Sequence, residues 1–180
     1  MPIYFEIKAK CRDLDKVRDI LKSQNAEFKS IDRQTDTYFH SKNGILKLRE
    51  ANFENNLIHY VEEATQKITK SPFSSYKTEA NSNIKDILEK SLGKKCVVKK
   101  DREIYIIDKV KFHLDTIEDL GTYIKIVATQ KNTNTSTEEL QEQCNFYIKL
   151  LQINAKDLIS DSYSDIIQQN NLFSQILFEE

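Results

Sequence analysis

A chain of 180 residues, 39% of them hydrophobic, is long enough for one domain with a single core and an appendage. Its 27 basic and 28 acidic residues leave a net charge of −1, so no global field draws DNA, RNA or an acidic membrane, and any anion site must arise by local segregation of charge. Cys11, Cys96 and Cys144 are odd in number, far apart and without a Cys-x-x-Cys pair, which excludes a disulfide scaffold or zinc knuckle and points to a reducing cytoplasm.

In chain order, residues 3–11 alternate: Ile3, Phe5, Ile7, Ala9 and Cys11 share one face, and Tyr4, Glu6, Lys8 and Lys10 the other. Asp13 can cap a helix carrying Leu14, Val17, Ile20 and Leu21, with Asn25 as its stop. Residues 27–40 read as one or two strands, followed by the turn residues Lys42, Asn43 and Gly44. Over 45–50, Leu46 and Leu48 oppose Lys47 and Arg49. A strand follows over 57–62, then a polar loop over 64–71 and a short strand over 73–78. Residues 81–92 carry Ile84, Ile87, Leu88 and Leu92 on one helical side, closed by Gly93.

Three further strands then alternate. Val98, Lys100, Arg102 and Ile104 share a face, as do Lys109, Lys111, His113 and Asp115, while Tyr123, Lys125, Val127 and Thr129 oppose Thr122, Ile124, Ile126 and Ala128. A helix is expected over 137–151 and weaker helical patterns over 155–178. About eight meandering strands with flanking helices predict an antiparallel α+β fold whose sheet forms a closed or nearly closed eight-stranded β-barrel. The glycines stand singly, so no phosphate loop or dinucleotide fingerprint exists. The start of the sequence lacks the apolar core of a signal peptide, and no apolar run approaches the roughly 18 residues of a membrane span.

Taken together, the charged faces hold eight cations, Lys8, Lys10, Lys47, Arg49, Lys100, Arg102, Lys111 and Lys125, against two anions, Glu6 and Asp115. If they line one lumen its net charge is about +6, which requires water or bound anions. Alternation alone leaves that reading level with solvated faces that never converge.

The segments Glu6-Ile7-Lys8-Ala9-Lys10, Gln34-Thr35-Asp36-Thr37-Tyr38-Phe39, Leu46-Lys47-Leu48-Arg49-Glu50 and Val98-Lys99-Lys100-Asp101-Arg102, followed by His113-Leu114-Asp115, Glu118-Asp119-Leu120-Gly121-Thr122-Tyr123, Asp157-Leu158-Ile159 and Ser162-Tyr163-Ser164-Asp165, resemble in order and spacing the CYTH, or triphosphate tunnel metalloenzyme, superfamily. That family includes class IV adenylyl cyclases, thiamine triphosphatases and inorganic triphosphatases. The resemblance implies an eight-stranded tunnel holding a triphosphate and a divalent metal. It places Lys10, Lys47, Arg49, Lys100 and Arg102 on phosphate-contacting positions, where Arg and Lys suit phosphate oxygens.

Departures from the family pattern are as informative. The opening Glu-x-Glu-x-Lys has Lys8 at its second acid, and alignment on Gly121 and Tyr123 puts Lys125 and Val127 at a later Glu-x-Glu. Three of four acidic positions are thus lost, and two are reversed in charge. Glu6 and Asp115 are left to hold Mg²⁺ or Mn²⁺, weakly. Glu62, Ser75 and Glu103 stand where relatives imply basic residues.

The expected function is binding of a triphosphate, nucleotide or other polyphosphate in a basic lumen, with Lys8, Lys10, Lys47, Arg49, Lys100, Arg102, Lys111 and Lys125 as phosphate ligands and catalysis feeble or absent. The alternative is a Mg²⁺- or Mn²⁺-dependent triphosphatase or class IV adenylyl cyclase acting on ATP, thiamine triphosphate or inorganic triphosphate. A third reading treats the barrel as a scaffold. His113 is read as a structural histidine ahead of a proton shuttle. Lys99 and Lys100 fall on opposite faces, which argues against a nucleic-acid patch. Residues 1–167 are read as the tunnel domain and 168–180 as a helical extension packing on it, with a dimer contact or tunnel plug as lesser readings. The expected protein is cytoplasmic, off the membrane, a monomer or homodimer, with a phosphate-rich small molecule as its partner and no nucleic acid.

Overall fold

The computed structural model describes residues 4–61, 63–65, 68–70, 73–129 and 136–178. In chain order the elements are β1 (Tyr4–Lys10), α1 (Leu14–Ser23), β2 (Glu27–Phe39), β3 (Ile45–Ala51), β4 (Asn55–Tyr60), β5 (Glu63–Thr65), β6 (Ile68–Lys70), β7 (Phe73–Thr78), α2 (Ile84–Leu92), β8 (Lys94–Ile107), β9 (Val110–Ile117), β10 (Gly121–Thr129), α3 (Thr137–Leu150), β11 (Leu158–Ile159) and α4 (Tyr163–Phe178). Ile3, Glu62 and Ser71 of the sequence reading lie outside the described residues.

Local signals set the helices. The Asp13 carboxylate accepts from the Lys16 amide at 2.9 Å, starting α1, and Asn25 ends it in the left-handed region at φ 55. Ser136 and Glu139 exchange bonds at the head of α3, a reciprocal cap that satisfies two otherwise orphaned amides. Leu14, Val17 and Leu21 of α1, with Leu140, Cys144 and Tyr147 of α3, are buried at helical spacing. They pack on Phe5, Ile7, Ala9, Val110, Phe112, Leu114, Ile124, Ile126 and Ala128. These are the apolar parities of β1, β9 and β10. Burying one such side chain is worth about 1.5–3 kcal/mol, so this helix-covered face, and not the polar one, drives folding.

The sheet is antiparallel, in the order β5-β6-β1-β10-β9-β8-β2-β3-β4-β7, with β11 beside β1. It curls toward the expected barrel but does not close, because β5 and β7 remain edges. The β4–β7 wing explains this. Every β4 residue is half-buried, and Ser74 to Lys77 of β7 are exposed. The nearby α2 buries none of its residues. Among the described residues of this wing, no apolar side chain is fully buried to draw it round to the other edge.

Two expectations need correction. Residues 63–65 and 68–70 form a hairpin whose second strand pairs with β1 at Glu6–Thr69, where a loop was expected. Three-residue strands are too short to show alternation. The helical pattern over 155–178 is also broken: a 3₁₀ turn at Ala155–Asp157 and β11 precede α4. Position 168 falls inside α4.

Gly44 shows why the 42–44 turn needs glycine. Its φ is +70, and a Cβ there would lie 2.5 Å from the Tyr60 carbonyl oxygen. Gly44→Ala is expected to destabilise the protein by about 1–3 kcal/mol, read as a lowered urea midpoint. An unchanged midpoint would contradict this account.

Candidate functional site

Strand register gathers the polar parities on one concave face. Lys8 lies opposite Lys125 and Glu6 opposite Val127, while Tyr123 lies opposite Asp115. Asp115 faces Arg102, Gln34 faces Lys100, and Asp36 and Tyr38 face Arg49 and Lys47. Ion pairs join Lys47, Arg49 and Lys100 to Asp36, Arg102 to Asp115 and Lys125 to Glu6 across β1, β2, β3, β8, β9 and β10, so the face is a shared interior. Six cations lie there, Lys8, Lys47, Arg49, Lys100, Arg102 and Lys125; all but Lys8 pair with Asp36, Asp115 or Glu6, and Asp32 is buried on the same parity.

One half of the interior centres on Asp36, whose side chain has no exposure. One Asp36 oxygen accepts from Arg49 Nε at 2.7 Å; the other accepts from Arg49 Nη2 at 2.7 Å, Lys47 Nζ at 3.0 Å and Lys100 Nζ at 2.8 Å. Burial works to raise the Asp36 pKa, but Lys100, Lys47 and Arg49 outweigh it and hold the carboxyl well below its usual range. Burial pulls Lys47 down to about 8 and Lys100 well below the ordinary lysine range. Neighbouring cations add to both shifts, and Asp36 opposes them.

In the other half, Arg102 grips Asp115 through Nε at 2.6 Å and Nη2 at 2.7 Å, and Tyr163 donates its hydroxyl to the same carboxylate at 2.9 Å. Glu6 pairs with Lys125 at 2.7 Å. Lys8 Nζ donates to the Asp161 carbonyl oxygen and lies 5.0 Å from the Tyr163 ring centroid. Lys125 lies 5.9 Å from that ring. The Tyr163 ring packs edge-on against Tyr123 at 5.2 Å. Ser162, which accepts from the Asp165 amide at 3.2 Å, sets the entry to α4 that delivers Tyr163.

Of the eight phosphate-ligand candidates, Lys8, Lys47, Arg49, Lys100, Arg102 and Lys125 converge. Lys10 and Lys111 lie on the same parity but are exposed at strand ends. Asp36 and Tyr163 were not among the candidates. A signal for Asp36 existed in the alternation of Asp32, Gln34, Asp36 and Tyr38, all buried. His113 sits on the interior parity, with burial holding its pKa well below the usual value and its Nδ1 without a partner among the described residues. Gln34 Oε1 is likewise buried and unpartnered among those residues, its amide donating to Asp32 at 2.6 Å. Glu103 faces away and pairs with Arg18 at 2.6 Å, and Ser75 is exposed.

A divalent ion does not fit this donor set. The four positions compared with the acidic pairs are neighbours across β1 and β10, and they supply one carboxylate, two ammoniums and a valine. Asp115 lies four residues along β9 from Lys111, the residue in line with Glu6 through Val127. That offset is about 13 Å of strand. Both surviving acids are already ion-paired. Among the described residues, no group of three or more His, Cys, Asp or Glu side chains could hold a metal. Among them, too, no helix is long and apolar enough to cross a membrane.

Comparison with known proteins bears on this arrangement. A protein of Methanocaldococcus jannaschii named "Putative adenylate cyclase" is 29% identical over 177 residues, spanning 91% of this chain and 98% of that one. The solved structure of a Pyrococcus horikoshii OT3 protein matches with a TM-score of 0.80 at 18% identity, over 90% of this chain and 98% of the other. A Hippeastrum structure described as a "putative adenylyl cyclase" with a dominant triphosphatase activity matches at 0.66 and 12% identity, over 94% and 96%. At such identities the structural likeness is one of fold. The CYTH domain pattern itself matches residues 3–163, from β1 to the tyrosine that caps Asp115, and on that match the chain belongs to the CYTH domain family.

Proposed function

We propose that the interior binds a triphosphate, nucleotide or other polyphosphate as an anion, without a divalent metal, and that hydrolysis or cyclisation is feeble or absent. The observation carrying this is a face that gathers six basic side chains, five of them paired with Asp36, Asp115 and Glu6, with ammoniums at two positions where the resemblance implies acids. Positive charge is supplied by the chain itself. Ammonium and guanidinium groups neutralise phosphate oxygens in the bound state. Binding ground state and transition state equally does not speed chemistry.

Calorimetric titration of tripolyphosphate, ATP and thiamine triphosphate, each with and without Mg²⁺, tests the proposal. Affinity is expected to be similar with and without metal and to weaken as salt rises. Absence of binding would remove the proposal. Robust metal-dependent turnover would replace it with the second reading, a metal-dependent triphosphatase or adenylyl cyclase, which the names of the relatives favour.

A pH dependence follows from Lys47. Burial pulls its folded, unliganded ammonium down to about 8, and a bound polyanion favours the charged form. Affinity is therefore full below that pH and falls as pH rises through it, by up to about ten-fold per unit. Lys47→Arg keeps its charge throughout. The ratio of wild-type to variant affinity for tripolyphosphate should decline between about pH 7 and 9.5, a range set by this shift. A flat ratio would show that Lys47 does not contact the anion.

A further inference from the structure

We propose that Asp36 is a tethered competitor for the anion site, a carboxylate that occupies Lys47, Arg49 and Lys100 when no ligand is bound and so sets how many charges a ligand must carry to displace it. The inference rests on the polyphosphate-binding reading above and names the residue that gives the site its selectivity.

The geometry carries it. Asp36 is completely enclosed, and its two oxygens receive four bonds of 2.7–3.0 Å from three basic side chains. Four bonds match the roughly four acceptor sites of a carboxylate, three of them crowded on one oxygen. The three cations are not saturated by it in return, since each ammonium gives Asp36 one of its three N–H donors and the guanidinium two of its five. Their exposures are graded: the Arg49 side chain is 18% exposed, Lys47 11% and Lys100 1%. An incoming anion therefore meets Arg49 and Lys47 first, with Asp36 and Lys100 beneath them. It arrives at donors already turned toward a carboxylate.

A tethered group competes at an effective concentration of millimolar order or more. A single phosphate offers little that Asp36 does not already supply, and it must also lie beside a buried negative charge. A polyphosphate reaches beyond the Asp36 cluster toward Arg102 and Lys125, which Asp36 does not touch. The resident acid thus rejects orthophosphate and admits longer anions.

The test is Asp36→Asn, titrated with orthophosphate and with tripolyphosphate beside the wild type. Wild type is expected to bind tripolyphosphate and to show no orthophosphate binding up to about 1 mM, within the tether's millimolar scale. The variant is expected to bind orthophosphate, a gain of at least about ten-fold, roughly the scale of one like-charge contact. A folded variant whose orthophosphate affinity is unchanged or weaker would leave Asp36 as scaffold only and overturn the inference. If the variant does not fold alone, the same titration is followed by far-UV circular dichroism. Restoration of the folded spectrum by millimolar tripolyphosphate, the ligand taking the place of the acid, supports the inference, and failure to restore it overturns it. Failure of the wild type to bind tripolyphosphate, with no binding by the variant either, strikes the polyphosphate reading itself. Binding by wild type with no gain in the variant strikes the competitor role alone.

Discussion

Replacing Asp115 by alanine is expected to lower folding stability by about 3–5 kcal/mol, the range for breaking a buried ion pair from one side. The variant leaves Arg102, only 7% exposed at its side chain, without the carboxylate that holds both ends of its fork. The Tyr163 hydroxyl also loses its acceptor, so the entry of α4 loosens along with the sheet. Removing a partner is worse than never having had the pair, because the stranded charge keeps its desolvation penalty. The urea midpoint should fall with little change in the m-value. Asp101→Ala is the control. It breaks the Arg33–Asp101 pair, whose side chains are 77% and 48% exposed, and surface pairs of that kind contribute about 0–1 kcal/mol. The Arg102 guanidinium depresses the Asp115 pKa against the effect of burial. Its stabilising contribution is therefore present above the unfolded carboxyl value of about 3.9 and is lost as pH falls through the folded value. The gap between wild type and Asp115→Ala should narrow only below about pH 4. A variant as stable as the Asp101 control would mean that Arg102 finds water or another partner.

The side of each strand was legible because period-two alternation is a property of the backbone, visible wherever apolar and charged residues take turns. It put Lys8, Lys47, Arg49, Lys100, Arg102 and Lys125 on the polar sides of their strands, and the strand register shows that those sides form one face. Depth along the strand was not legible. Lys10 and Lys111 share the parity of their buried neighbours but sit at strand ends, where the same direction points into solvent. Parity also failed for β2, where Thr37 and Phe39 on one side and Asp36 and Tyr38 on the other are all buried. Without a polar-apolar contrast, Asp36 did not stand out, and the interior looked more positive than it is. Sheet closure was illegible for a different reason. It depends on whether β7 finds a partner, a long-range matter on which the local pattern of 73–78 is silent. Tyr163 enters the interior from a separate element, so no strand pattern could reveal it. Its place in the Ser162-Tyr163-Ser164-Asp165 segment was the available sign.

Converting the β1–β10 seam back to acid should create a metal site and weaken metal-free binding. Lys8→Glu, Lys125→Glu and Val127→Glu, made together, would surround Glu6 with three further carboxylates at two directly opposed register pairs. Opposed positions bring Cβ atoms to about 4.5–5.5 Å. Carboxylates at that spacing can converge on a divalent ion, whose oxygen ligands sit at about 2.0–2.6 Å. Without metal the four like charges repel, so the variant should melt lower in chelator and recover with Mg²⁺ or Mn²⁺, as ligand binding to the folded state requires. Some of the loss will persist with metal, because Lys8 no longer donates to the Asp161 carbonyl oxygen and neither ammonium lies near the Tyr163 ring. Tripolyphosphate affinity in chelator should fall at least about 100-fold relative to wild type, since two attractive charges become repulsive ones. Added metal should restore part of it by bridging the new acids to phosphate oxygens. Lys8→Met with Lys125→Met separates the two effects: it removes the attraction without creating a metal site, so its affinity should fall less and should not respond to Mg²⁺. If the triple variant binds tripolyphosphate in chelator as tightly as wild type does, Lys8 and Lys125 do not face the ligand, and the anion site is confined to the Asp36 half.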